Sequence, residues 1–124
     1  MLNITGQNFI AGQRSSAGSK FVLSYDAATD EALPYQFAQA TPEEIDQAAQ
    51  AAALTYPAFR QTTPEQRAVF LETIASEIDA LDDQFIATVC QETALPEARI
   101  RGERGRTTGQ LRLFAQVLRR GDFL

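Results

Sequence analysis

The chain has 124 residues, of which 44% are hydrophobic and 22% are charged, a composition typical of a globular protein rather than of a disordered or membrane protein. Its single cysteine, Cys90, excludes an internal disulfide and is typical of a reducing compartment. The net charge of −5 is uneven, because residues 96–124 carry seven arginines against three acidic residues, a local charge of +4.

Two classes of partner are disfavoured by these properties. No stretch approaches the roughly 18 consecutive apolar residues of a membrane-spanning helix. The basic C-terminal segment is not matched by aromatic stacking residues, and the acidic remainder would repel phosphates. We therefore predict neither a nucleic-acid nor a membrane partner. Residues Met1–Gly6 lack the basic and apolar segments of a secretory signal, so we expect a cytoplasmic protein.

The first forty residues have strand and turn character. Apolar residues alternate in Lys20–Tyr25 with the period of a half-buried strand, and Asn8–Gly12 is a similar short segment. The polar segment Arg14–Ser19 lies between them, which predicts a hairpin that pairs residues 8–12 with residues 20–25. A polar turn at Ala27–Glu31 precedes an extended segment, Ala32–Ala38.

From residue 41 to residue 124 the chain is predicted to be helical. The sequences Thr41-Pro-Glu-Glu44 and Thr63-Pro-Glu-Gln66 are both capping boxes, with proline at the first helical position. They predict helices that begin at Pro42 and Pro64. The second helix is expected to turn around Asp82-Asp83 and to continue as a helix to Leu95. The first helix carries an apolar stripe whose alanines permit close packing against a neighbour: Ile45, Ala48, Ala49, Ala52, Tyr56 and Phe59.

The last helix is predicted to run from Pro96 to Gly121. One face is expected to be apolar and consists of Ile100, Thr107, Leu111, Phe114 and Leu118. Gly102, Gly105 and Gly109 lie on the opposite face and cost roughly 1 kcal/mol each relative to alanine. Close approach of another backbone is the commonest reason for such glycines, so we expect a partner outside these residues. The alternative is an exposed, weakened helix with solvated arginines.

Two polar stripes separate these faces of the last helix. One stripe consists of Arg99, Glu103, Arg106 and Gln110, and the other consists of Arg101, Arg112 and Arg119. A chain of 124 residues rarely surrounds one of its helices on every side. The pattern therefore also favours a partner for part of this helix beyond the sequence.

Four motifs occur in the order in which aldehyde dehydrogenases have them. They are Phe9-Ile-Ala-Gly12, Ala40-Thr-Pro-Glu-Glu-Ile-Asp-Gln-Ala48, Arg67-Ala-Val-Phe-Leu-Glu-Thr-Ile-Ala75 and Glu92-Thr-Ala-Leu-Pro96. The chain resembles the N-terminal portion of this superfamily, and Gly102–Ala115 resembles its α-ketoglutarate semialdehyde (2,5-dioxovalerate) dehydrogenase branch. Asp30 and Ala94 stand where the family pattern has glycine.

The resemblance covers essentially the whole chain and implies a fold. We expect a mainly α fold with a small N-terminal β-hairpin, a peripheral part of the α/β cofactor-binding domain of an aldehyde dehydrogenase. Residues 1–124 are predicted to form a single unit, with the hairpin and extended segment in residues 1–40 and helices in residues 41–124. This unit would be a fragment of a larger domain, completed by the remainder of the dehydrogenase chain.

The resemblance also implies a parent enzyme, a homo-oligomer that uses NAD or NADP to oxidise a short semialdehyde to its acid. That chemistry needs a cysteine thiolate, oxyanion donors, a nicotinamide and a glutamate base, which the family places in later segments. Cys90 falls in an amphipathic helix of a chain without histidine, so we interpret it as a small buried hydrophobe. Glu92 is interpreted as a helix-end carboxylate. We predict no catalytic, cofactor-binding or metal-binding residue in this chain.

One indirect role is implied for the last helix, which in the family runs near the substrate entrance. Arg99, Arg106 and Gln110 are candidates to hold the distal carboxylate of a keto-acid semialdehyde, for which a planar guanidinium is suited. Alternatively, they tie the helix to acidic groups elsewhere in the full enzyme. A second hypothesis for the whole chain is a self-contained helical interaction module that docks on an acidic partner through its Arg/Gly-rich C-terminal helix.

Overall fold

A computed structural model of the chain describes residues 3–123. Residues 3–61 form one compact unit, the N-terminal unit, and residues 62–123 form a second, the C-terminal unit. The single unit over residues 1–124 stays a prediction. The described elements are β1 (Asn8–Ile10), β2 (Gln13–Ser15), β3 (Phe21–Tyr25), β4 (Ala32–Ala38), α1 (Pro42–Phe59), α2 (Pro64–Asp79), α3 (Asp83–Thr93) and α4 (Glu97–Arg120).

The N-terminal unit contains two antiparallel strand pairs, β1 with β2 and β3 with β4. β1 and β2 are joined by Ala11 and Gly12, whose φ angles of 52° and 77° match the primed turns that suit a hairpin. The predicted pairing of residues 8–12 with residues 20–25 was wrong. The chain reverses earlier, at an Ala-Gly dipeptide without the Asn or Asp that usually marks such a turn.

The segment before β1 is held against β4 at Gly6. The Ala38 amide donates a hydrogen bond of 2.8 Å to the Gly6 carbonyl. Gly6 has a φ of 69°, and a Cβ added there would lie 1.8 Å from the carbonyl oxygen of Gln36. Glycine is therefore required both by the backbone conformation and by the close approach of β4.

Both predicted capping boxes are present. In the first, the Glu44 amide donates to Thr41 Oγ1 at 3.1 Å and the Thr41 amide donates to Glu44 Oε1 at 3.0 Å. Glu44 also accepts a hydrogen bond from the Ser15 hydroxyl, so it ties β2 to the start of α1. The hydrogen bond from Ser15 and that from Thr41 hold the pKa of this buried carboxyl below its ordinary value.

The apolar stripe predicted for α1 is largely exposed. Ile45 and Tyr56 are each 60% exposed and Phe59 is 45% exposed. Within the N-terminal unit α1 lies against β1, and only Ala48 and Ala51 of its alanines are half-buried. The helix was predicted correctly, but this unit contains no second helix to cover the stripe.

In the C-terminal unit, α4 packs along α2 through small residues. Ala68 and Ala75 of α2 and Ala115 of α4 have no exposed surface, and Thr108 of α4 is also buried. These pairs are each seven residues apart, two helical turns, so they recur on one face of each helix. Small side chains at these positions allow the two helix backbones to approach closely.

The turn predicted at Asp82-Asp83 is confirmed. α2 ends at Asp79, and the Asp82 carboxylate caps α3 by accepting hydrogen bonds from the amides of Gln84 and Phe85. Ile86 of α3 is buried, whereas Cys90 is only half-buried.

α3 ends at residue 93, earlier than predicted. The next residue, Ala94, has a φ of 58°, the left-handed conformation of a C-cap. Asp30 has a φ of 62°. Both positions where the family resemblance leads us to expect glycine therefore adopt the conformation that favours glycine.

Candidate functional site

The candidate site is built on α4, which begins at Glu97 and ends at Arg120, as predicted. The buried residues of α4 are Ile100, Thr108 and Ala115, whereas Thr107 and Phe114 are exposed. At the centre of α4 the buried positions are therefore one residue later than predicted, at Thr108 and Ala115. The tight contact with α2 admits only small side chains there, so the phenylalanine lies at the rim instead.

An inner arginine stripe of α4, made of Arg101, Arg112 and Arg119, forms ion pairs with α2 and α3. Arg119 is the most extensively bonded. Its Nε and Nη2 lie 2.8 and 2.9 Å from the two carboxylate oxygens of Glu65, and Nη2 lies 2.9 Å from Glu72 Oε2. These hydrogen bonds lower the pKa of Glu65 and of Glu72 and raise the pKa of Arg119.

The other inner arginines extend these contacts toward the start of α4. Arg112 Nη1 lies 2.8 Å from Asp79 Oδ2. This hydrogen bond is the main cause that lowers the pKa of Asp79, and a hydrogen bond with the Thr108 side chain lowers it further. Arg101 Nη2 lies 2.7 Å from Asp83 Oδ1 at the start of α3. The inner stripe therefore joins α4 to both neighbouring helices.

An outer stripe, Arg99, Glu103 and Arg106, is paired along α4 itself. Arg99 Nε lies 3.0 Å from Glu103 Oε1, and Arg106 Nε lies 3.1 Å from Glu103 Oε2. The bond from Arg106, and then that from Arg99, lowers the pKa of the shared carboxyl. Because two guanidiniums share one carboxylate, this part of α4 carries excess positive charge. The Arg106 side chain is 79% exposed, so it can reorient toward an anion.

A groove of about 920 Å³ runs between α2 and α4 and contains two of the three predicted entrance residues, Arg106 and Gln110. Arg99 is not among the residues that line it. The groove is polar at the end where Arg106 and Gln110 lie and apolar elsewhere. Its walls are formed by Leu71, Ile74, Ile78, Arg106, Thr107, Gln110, Leu111, Phe114, Val117, Leu118 and Phe123.

Gly102, Gly105 and Gly109 lie on a face of α4 that is open in the described part of the chain. A Cβ added at any of the three would meet no heavy atom within 4 Å. The close backbone approach expected from these glycines is therefore not made by residues 3–123. If a backbone does approach this face, it belongs to another polypeptide segment.

Neither a metal site nor a membrane-spanning helix is present among residues 3–123. Within residues 3–123, no three or more His, Cys, Asp or Glu side chains are grouped so that they could hold a metal ion. Over the same residues, no helix combines the length and the apolar character needed to cross a membrane.

Comparison with known proteins decides the family. The model of the Aldehyde dehydrogenase family matches residues 11–123 of the chain. The chain belongs to the aldehyde dehydrogenase family. The resemblance drawn from the four ordered motifs is thereby confirmed, and the matched range includes residues of both units.

Two similar proteins carry the name of one branch of this family. The chain is 48% identical over 118 residues to alpha-ketoglutaric semialdehyde dehydrogenase of Acinetobacter baylyi. It is 39% identical over 124 residues to alpha-ketoglutaric semialdehyde dehydrogenase 2 of Azospirillum brasilense. It is also 32% identical over 87 residues to 1-pyrroline-5-carboxylate dehydrogenase 2 of Bacillus subtilis. The predicted resemblance to the α-ketoglutarate semialdehyde branch is confirmed by the first two.

The chain spans only a small part of these relatives. The three alignments cover 95%, 99% and 70% of this chain but 22%, 24% and 17% of the respective relatives. The matched stretch is therefore less than a quarter of each relative, and the rest of each polypeptide has no counterpart in the present sequence.

Proposed function

We propose that this chain is the N-terminal part of an NAD(P)-dependent aldehyde dehydrogenase that oxidises α-ketoglutarate semialdehyde to the acid. The observation that supports this proposal is the 48% identity over 118 residues to a relative named for that substrate. Because those residues are 22% of the relative, we also propose that the 124 residues are themselves non-catalytic and that the remainder of the enzyme holds the reactive groups. The parent enzyme is proposed to be a cytoplasmic homo-oligomer.

The cofactor, NAD or NADP, is proposed to bind outside this chain, because the described residues do not fit it. Dinucleotide-binding folds place the pyrophosphate at a Gly-rich turn between a parallel strand and a helix N-terminus. The strands of residues 3–123 form antiparallel pairs. Gly102, Gly105 and Gly109 lie within α4 rather than before it, so they are not placed to receive a pyrophosphate.

Arg106 and Gln110 are proposed to hold the distal carboxylate of the substrate at the polar end of the groove. Their support is that they line one groove and that Arg106 is exposed beside a region of excess positive charge. A guanidinium and an amide together supply donors for both oxygens of a carboxylate. Arg99 is proposed to assist through Glu103, since it pairs with that carboxylate and does not line the groove.

A hybrid enzyme tests this function directly. In the hybrid, this chain replaces the matched 118 residues of the Acinetobacter baylyi relative. Reduction of NAD and of NADP by α-ketoglutarate semialdehyde would be followed for the hybrid, the unmodified relative and the 124-residue chain alone. We expect turnover by the first two and none by the chain alone. A folded but inactive hybrid, or turnover by the chain alone, would contradict the proposal.

The second candidate function, a helical interaction module, rests on the open glycine face of α4. A module that acts alone should be monomeric and should unfold in one cooperative transition. Sedimentation and urea unfolding of the 124-residue chain measure both properties. A cooperative monomer together with an inactive hybrid would favour the module over the dehydrogenase fragment.

A further inference from the structure

Thr107 differs from the other helical threonines in the use of its hydroxyl. A threonine within a helix ordinarily bonds to the backbone of the preceding turn or points away from the helix. Thr107 donates no hydrogen bond to its own helix, and its hydroxyl has no hydrogen-bond partner among residues 3–123. The other helical threonines of that range each donate to a carbonyl three or four residues earlier: Thr55, Thr73, Thr88, Thr93 and Thr108.

The unused hydroxyl lies beside two other side chains with unused donors. Thr107 lines the groove between α2 and α4 together with Arg106 and Gln110. Arg106 donates to Glu103 through Nε, and its Nη1 and Nη2 atoms have no partner in the described part of the chain. The Gln110 amide is likewise without a partner in residues 3–123. Three neighbouring side chains therefore present hydrogen-bond donors to one end of a groove that is apolar elsewhere.

A 2-oxo acid needs donors in this arrangement. The keto carbon of α-ketoglutarate semialdehyde is bonded directly to the carboxylate carbon, so the keto oxygen lies next to a carboxylate oxygen. A guanidinium and an amide supply donors for the two carboxylate oxygens, and the keto oxygen then needs one further donor. Thr107 follows Arg106 in the chain and precedes Gln110 by three residues, a spacing that makes them neighbours on the surface of a helix.

We propose that the Thr107 hydroxyl donates a hydrogen bond to the keto oxygen of α-ketoglutarate semialdehyde, beside the carboxylate that Arg106 and Gln110 hold. This inference rests on the proposed function. A site that donates a hydrogen bond to a substrate group discriminates against the analogue that lacks this group. Thr107 is therefore a specificity-determining residue, which selects a 2-oxo semialdehyde over one of the same length without the keto group.

Two aldehydes that differ only in the keto group test the proposal. Glutarate semialdehyde has the same carbon chain and carboxylate as α-ketoglutarate semialdehyde but lacks the keto oxygen. Both would be assayed with the hybrid enzyme carrying Thr107→Val, which removes the hydroxyl at nearly constant volume, or Thr107→Ser, which keeps it. Thr73→Val is the matched control, because Thr73 is also an exposed helical threonine but donates to the Val69 carbonyl.

We expect Thr107→Val to raise the KM for α-ketoglutarate semialdehyde about 3- to 10-fold, the effect of losing one hydrogen bond between neutral groups. Its kcat and its KM for glutarate semialdehyde should stay close to those of the parent hybrid. Thr107→Ser should restore most of the parent KM, and Thr73→Val should change neither KM. Equal changes for both aldehydes, or no change for either, would overturn the proposal. A Thr107→Ser variant that behaves like Thr107→Val would also overturn it.

Binding of the product separates this inference from the proposed function. α-Ketoglutarate and glutarate differ by the same keto group, and calorimetry measures their dissociation constants whether or not the hybrid turns over. A folded, inactive hybrid that prefers α-ketoglutarate, and loses that preference in Thr107→Val, would reject the dehydrogenase function and sustain the role of Thr107. An active hybrid whose preference is the same with and without Thr107→Val would do the reverse. A folded, inactive hybrid without such a preference would contradict both.

Discussion

The two sides of α4 both contain small residues and arginines, but these residues make different contacts on each side. On the side toward α2, small residues are buried and arginines such as Arg119 pair with carboxylates of another helix. On the outer side, glycines face open space, and Arg99 and Arg106 share a carboxylate of their own helix. The composition of a helix therefore does not show which of its faces packs against the rest of the chain. The inner side holds the C-terminal unit together, and the outer side is available to something else.

The largest effect on stability is expected from enlarging the inner side. Ala115→Leu adds three carbon atoms to a position with no exposed surface, so it should lower the free energy of unfolding by about 1–3 kcal/mol. Gln116→Leu, which places the same leucine side chain at the neighbouring exposed position, should leave stability within about 0.5 kcal/mol of the parent. Urea unfolding of the 124-residue chain measures both. Equal effects of the two variants on the free energy of unfolding would show that the two sides of α4 do not differ in packing.

The next effect is expected from removing the inner ion pairs. Arg119→Met should lower the midpoint of thermal unfolding at pH 7, because Glu65 and Glu72 lose their shared partner. Arg106→Met, its matched control, removes the same charge from the outer side and should leave the midpoint almost unchanged.

The Arg119 effect should also depend on pH. The folded-state pKa values of Glu65 and Glu72 lie below their ordinary value of 4.5, so the stabilisation is present above that value and is lost as pH falls below it. The difference between parent and Arg119→Met should therefore shrink in acid. A difference that stays constant from pH 7 to pH 3 would show that the ion pairs do not stabilise the fold.

A smaller effect, of opposite sign, is expected on the glycine face. Gly105→Ala should raise the free energy of unfolding of the 124-residue chain by about 0.5–1 kcal/mol, because alanine favours a helix and its Cβ meets open space. In the hybrid enzyme the gain should disappear if another backbone covers this face. Loss of stability in the chain alone would contradict an open face.

The smallest effect on stability is expected from Arg106→Gln, whose consequence should be seen in binding. In the hybrid enzyme we expect a higher KM for α-ketoglutarate semialdehyde with little change for an aldehyde that lacks the distal carboxylate. Arg106→Lys should recover part of the loss because it keeps the charge but not the planar fork. Equal losses for both aldehydes would assign Arg106 to structure rather than to substrate binding.

Local signals were predicted from the sequence more accurately than packing was. The two capping boxes and the turn before α3 depend on a few adjacent residues, and the structure confirms them. The β1–β2 turn was missed because Ala11 adopts a positive φ without the residue type that signals one. The backbone conformation of Ala11 is therefore determined by the pairing of β1 with β2 rather than by the type of the turn residue alone.

The errors on α4 have a different cause. Periodicity placed Phe114 on the buried face, since a large apolar side chain is usually buried. The structure instead buries Thr108 and Ala115, two small residues seven positions apart, opposite a similar pair on α2, Ala68 and Ala75. That matching of small residues is visible in the sequence, and it would have found the inner side. The groove beside it depends on both helices and could not be found from either one.

The Arg119 ion pairs also constrain the order in which the C-terminal unit forms. Arg119 lies 54 residues after Glu65, so nearly the whole unit is synthesised before the two residues can meet. The buried contacts of Thr108 and Ala115 with α2 precede Arg119 along the chain, so the packing of the two helices can begin before these ion pairs form. The ion pairs therefore join the last turn of α4 to α2 only when the C-terminal unit is almost complete.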